Sequence, residues 1–219
     1  MLVAKSESSQ HIVLGTEIRP QNNTHNRPSH GLSQDLVCPA CSRKVSFSST
    51  TSNNPFGFFA HDDGSRDCFD SESMSDGHRI AVEVAVKVIH NRINEITGER
   101  VEINVEKWIG TRSNFVITDI RITHPLRIAA EIFYKTKQLG LRRRLNTMFS
   151  NDYSTYLIFN TEGCHDIDNV ERHIQRLAPL KVGRFYPEIL ELTLGNLFNK
   201  HQLTLSQSDH EIIPDYILR

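Results

Sequence analysis

The chain has no apolar run approaching the eighteen or more residues that a bilayer span requires, so no membrane partner is expected. It also lacks a charge excess. Twenty-five Lys and Arg face 26 Asp and Glu, giving a net charge of −1 and a pI near 6.8. That balance excludes a globally basic protein, and any contact with nucleic acid must use a local patch. The opening MLVAKSESSQ has too short an apolar run for a signal peptide. Only four cysteines are present, two of them as Cys38-Pro39-Ala40-Cys41. In an unsecreted chain that usage points to metal binding rather than disulfides, and a cytoplasmic location is expected. Apolar residues make up 38%, enough for one core, and no internal repeat is visible.

What is there begins with a flexible-looking start at 1–9 and a short strand at 11–18, followed by a breaker-rich loop. After Cys41, nineteen residues lead to His61 and six more to Cys68. Thiolates and imidazole bind zinc tetrahedrally, and a CxxC knuckle facing a second pair is how small ribbons do it. Cys38, Cys41, His61 and Cys68 are the expected zinc ligands, with His78 and His30 as competitors and buried free thiols as the bland alternative. A metal would hold together a segment with too few apolar residues to fold alone.

Residues 78–96 alternate like a strand. Their length, the absence of breakers, a plausible N-cap at Asp76 and a stop before Gly98 favour a helix. Its inner face would carry His78, Val82, Ala85, Val86 and Ile89, and Glu83 with Lys87 four residues on reads as a surface ion pair.

Two strands then follow, Phe115–Thr123 and Arg127–Tyr134, around a turn at His124–Pro125. Each carries one acid, Asp119 and Glu131, inside an apolar β-type segment. A carboxylate there costs desolvation energy unless a partner or metal ion stabilises its charge, and two on successive strands can share one divalent cation. Lys135 shares the Glu131 face, further along the strand. The bland alternative is an edge carboxylate and an Arg-paired one. Beyond it, Lys135, Lys137, Arg142, Arg143 and Arg144 are five cations with no acid among them, suited to a phosphate backbone or to a solvated helix face. A buried strand is expected at 154–160, a helix at 166–178, and a polar tail from 201.

The order of these phrases resembles the CoiA-like competence proteins, a branch of the PD-(D/E)XK nuclease superfamily. The matching residues are HIVLG at 11–15, Cys38 and Cys41, FFAH at 58–61, His78, Trp108-Ile109-Gly110, Thr118-Asp119-Ile120 and Ile128-Ala129-Ala130-Glu131-Ile132. The resemblance implies an α/β fold with three parts: a zinc-ribbon module over 1–70, a nuclease core with a central mixed sheet flanked by helices over 71–200, and a tail over 201–219. It implies cleavage of nucleic acid, DNA first, with Mg²⁺ or Mn²⁺ held by Asp119 and Glu131 and with His78 or Glu83 as the helix contribution. This sequence departs from the pattern in placing Phe133, not Lys or Gln, two residues after Glu131, so Lys135 or Arg142 would have to supply the positive charge. A Phe also replaces the first His of the HFAH-like phrase, and no Lys follows His78 at three or four residues. The alternatives are a catalytically inactive relative that binds nucleic acid and a zinc-stabilised protein adaptor.

Overall fold

The computed structural model describes residues 1–18, 35–48, 57–69, 74–134, 141–164, 167–168, 171 and 180–195. Lys135 and Lys137, the Arg142 side chain, most of 166–178 and the tail lie outside them. The architecture is mixed α/β, with a central mixed sheet and two α-helices among the described residues. The chain divides into two compact units, Met1–Ile103 and Asn104–Arg219.

In the first unit, β1 (Val3–Ser6) lies between β2 (Ile12–Leu14) and β3 (Leu36–Val37), all antiparallel. The expected loose start is therefore a fully buried central strand. Its alternation is hidden because both faces are covered, so Lys5 and Ser6 are buried alongside Val3 and Ala4. The expected strand at 11–18 is shorter than its sequence pattern, since a 3₁₀ turn replaces it from Gly15. A second ribbon pairs β4 (Val45–Ser48) with β5 (Phe58–His61).

The helix α1 runs from Asp76 to Thr97. Its N-cap is Ser75 rather than Asp76, with the Ser75 hydroxyl accepting from the His78 N–H, and Gly98 ends it at φ 65°. It packs on β1 and β2, and the Asn91 amide makes two 2.7 Å hydrogen bonds to the Ile12 backbone, as a neighbouring strand would. The first compact unit thus runs past residue 70 and includes this helix.

The second unit is built on a sheet in the order β11-β10-β9-β8-β7-β6. These strands are β6 (Glu102–Thr111, begun in the first unit), β7 (Asn114–His124), β8 (Ile128–Phe133), β9 (Ser154–Asn160), β10 (Leu180–Tyr186) and β11 (Glu191–Leu194). A two-residue turn at 112–113 makes β6 and β7 a hairpin, and Pro125 turns β7 into antiparallel β8. The helix α2 (Leu141–Phe149) then allows β8 and β9 to run parallel. Leu145 and Phe149 of α2 pack with Phe133, Leu157 and Phe159 on one face of this sheet.

Candidate functional site

The CPAC segment forms the bend between β3 and β4. Ser42, at φ 61°, lets its N–H return to the Cys38 carbonyl at 2.8 Å, while the Ala40 and Cys41 amides donate to the Cys38 sulfur. This curls the backbone around one thiol. His61 ends β5 and Cys68 follows a short acidic loop, so the ribbon brings four residues together that the sequence keeps far apart.

The ligand atoms of Cys38, Cys41, His61 and Cys68 all lie within 4.8 Å of one another. His61 Nε2 is 3.4 Å from Cys41 Sγ and 4.0 Å from Cys68 Sγ, and its Nδ1 sits 3.3 Å from the Ser65 carbonyl. That outer contact orients the ring so that Nε2 faces the thiols. Arg43 adds positive charge, with Nε 3.2 Å from Cys41 Sγ. Burial pushes the Cys38 and Cys68 thiols up. Burial also opposes ionisation of Cys41, but the Arg43 side chain and backbone N–H outweigh it and bring that thiol down to about 6. Three sulfurs and one imidazole converging this closely could hold a metal such as zinc.

The carboxylate pair lies in the second unit. The paired rungs of β7 and β8 end at Ile120 and Ala130, and Asp119 and Glu131 are the next residue on each strand. Asp119 accepts a 2.7 Å hydrogen bond from the Ile132 N–H. Glu131 is 0% exposed, and its Oε2 receives Arg144 Nη2 at 2.5 Å. Its Oε1 is buried with no hydrogen-bond partner among the described residues. Burial, reinforced by the neighbouring Asp119 charge and offset in part by Arg144, pushes the Glu131 carboxyl up to about 8.

Glu83 has a different setting. It is not half of a surface pair with Lys87, which bonds Glu17 instead. It is fully buried because residues 81–86 of α1 are covered on every side, and its Oε2 accepts from the Leu2 and Val3 N–H groups. Burial, with Asp67 adding a like charge, raises it to about 7. His78 lies on the first turn of the same helix, in the first unit.

Phe133 is core: it stacks on Phe159 with centroids 4.8 Å apart. Arg143 is exposed on α2. Arg144 was expected among the phosphate contacts but turns inward to Glu131 and to the Ile117 carbonyl at 2.6 Å. The spacing of Leu141, Arg144, Leu145 and Met148 carries the signal for this, since i, i+3, i+4 and i+7 share one helix face. Among the described residues no helix is long and apolar enough to cross a membrane. No family model matches the chain, and no curated protein or solved structure matches it.

Proposed function

We propose that the protein is a metal-dependent nuclease that hydrolyses phosphodiester bonds of nucleic acid, with Asp119 and Glu131 at its reacting centre and a zinc ion held by the Cys₃His group. The observation that carries this reading is Glu131. A fully buried carboxyl with one oxygen unpartnered among the described residues, beside a second carboxylate on the adjacent strand, is an expensive arrangement for a purely structural role. It fits a divalent cation, which would satisfy the orphaned oxygen and offset the Asp119 charge. The element order α1, β6, β7, β8, α2, β9 is also the order that the CoiA-like resemblance implies.

Asp119 and Glu131 would hold the ion. When bound, Mg²⁺ or Mn²⁺ supplies Lewis-acid stabilisation of charge developing at the phosphate and its leaving oxygen. Glu131 must release its proton to serve as a ligand, and Asp119 and Arg144 pull that equilibrium in opposite directions. Arg144 places beside the carboxylates the positive charge that position 133 does not supply, in donor reach of a phosphate oxygen drawn to the site. Glu83 serves as the anchor of the N-terminal strand. The test is cleavage of DNA and RNA with Mg²⁺ or Mn²⁺, beside Asp119→Ala and Glu131→Gln. Metal-dependent cutting that both variants lose supports the reading, and cutting that Asp119→Ala retains sinks it.

Phe133 in the core and Arg144 on the carboxylate favour a second reading, a non-catalytic nucleic-acid-binding module. Binding without cleavage under all metal conditions would select it.

A further inference from the structure

The β6–β7 hairpin carries large apolar side chains that the fold does not bury. Trp108, Phe115 and Ile117 are 54, 47 and 51% exposed, though each belongs to a strand that elsewhere sends its apolar residues inward. Together with Glu106, Thr111 and Arg112 they line a groove of about 330 Å³, the size of a small-ligand site. The hairpin backbone is tightly drawn beside this groove. Gly110, at φ 115°, passes so close to the Asn114 carbonyl that a Cβ there would stand 2.2 Å from its oxygen.

Exposed apolar surface of this kind needs an occupant, and charge and backbone shape choose among the possibilities. Of the groove's own lining Arg112 is a cation and Glu106 an acid, while Lys107 and Arg121 lie elsewhere on the same hairpin and Asp119 belongs to the proposed metal site. Arg144, whose Nη2 joins the Ile117 carbonyl to Glu131, adds a further cation at the inner end. Ile117 and Asp119 are two residues apart on β7, about 7 Å along the strand. A second copy pairing along β6 is disfavoured by the backbone itself. Glu106 at φ 48° and Gly110 interrupt the regular run of donors and acceptors that such pairing needs.

We propose that Trp108 and Phe115 form a stacking platform for the unpaired bases of single-stranded nucleic acid, which the groove leads toward Asp119 and Glu131. Every base offers a π-face, so aromatic side chains bordered by cations bind single strands without reading their sequence. In a duplex those faces are already stacked and unavailable. The proposal rests on the nucleic-acid reading of the carboxylate site and supplies its substrate class, a single-stranded segment rather than a continuous duplex.

Trp108 is the sole tryptophan, so its fluorescence reports the platform directly. With no added Mg²⁺ or Mn²⁺, a mixed-sequence single-stranded 12-mer should quench it, and the matching blunt duplex should not. By anisotropy of a labelled 12-mer, Trp108→Ala and Phe115→Ala should each weaken binding about ten-fold or more, on the scale of one lost base stack. Trp108→Phe keeps an aromatic face and should restore most of the affinity. Equal quenching by duplex, or an unchanged affinity in Trp108→Ala, overturns the platform. So does a concentration-dependent change in Trp108 emission without oligonucleotide, which would mark the groove as a self-association surface. Cleavage is not read here, so the two readings fail separately. An inactive protein that still stacks single strands sinks only the hydrolase, and an active one indifferent to Trp108 sinks only the platform.

Discussion

Arg144 and Glu131 form an ion pair that crosses from α2 to the sheet, with Nη2 to Oε2 at 2.5 Å. The arginine is 26% exposed at its side chain and the glutamate 0%. The pair is therefore asymmetric: Arg144 can find water when released, and Glu131 cannot.

At pH 9, where Glu131 is ionised in the fold, Arg144→Gln should destabilise the protein by about 1–3 kcal/mol, the range for a buried charged group that loses its partner. Glu131→Gln, made in the Arg144→Gln background, should recover part of that loss, because a neutral amide leaves no uncompensated charge. Urea unfolding of the two single variants and the double variant measures the coupling. Additive effects would mean that the pair contributes nothing beyond its separate contacts.

The pH dependence has a definite sign. Glu131 ionises at about 8 in the fold against an ordinary 4.5. Below 4.5 both folded and unfolded chains hold the proton, and the stability this group contributes is fully present. Between 4.5 and 8 only the folded state keeps it, so stability falls as pH rises through that window. Glu83, raised to about 7, acts in the same direction. Urea midpoints measured without Mg²⁺ from pH 5 to 8.5 should decline, and Glu131→Gln should flatten the decline. A slope unchanged in that variant would mean that Glu131 is not the titrating group.

The Cys₃His group should hold about one metal ion per chain, as a closed four-ligand site does. Elemental analysis of purified protein measures the content, and Cys38→Ser should lose the ion. That variant should also melt the first unit at lower temperature, because the metal's binding energy is in part folding energy. A fully folded wild type without metal would remove the site from the account.

Legibility in the sequence followed periodicity and local chemistry. The β7–β8 hairpin was readable because Pro125 marks the turn and the flanking runs are β-branched. The Cys₃His cluster was readable because the CxxC knuckle is a local signature and His61 and Cys68 follow within one ribbon. The buried strand at Val3–Ser6 was not, because a central strand covered on both faces loses the alternation that marks a half-buried one. Glu83 misled for a related reason. Its spacing from Lys87 mimics a surface pair, and only the cover on every side of residues 81–86 shows that no solvent face exists there. Arg144 resembles its neighbours in charge, but its helical position sets it on the inner face.

That difference between neighbours gives the last prediction. Arg143 is exposed on α2, whereas Arg144 is committed to Glu131 and the Ile117 carbonyl. If α2 contacts the phosphate backbone, Arg143→Gln should weaken nucleic-acid binding and reduce the slope of log affinity against log salt by about 0.7 on single strands, one released counterion's worth. Its unfolding free energy should stay within about 0.5 kcal/mol of wild type, as for an exposed surface change. Arg144→Gln should alter both stability and cleavage, since its charge serves the carboxylates whether or not substrate is bound. Titrations at four salt concentrations, run beside urea unfolding, separate the two. An Arg143→Gln protein with the wild-type salt slope would leave that arginine a solvated helix residue and confine the electrostatics of binding to the β6–β7 hairpin.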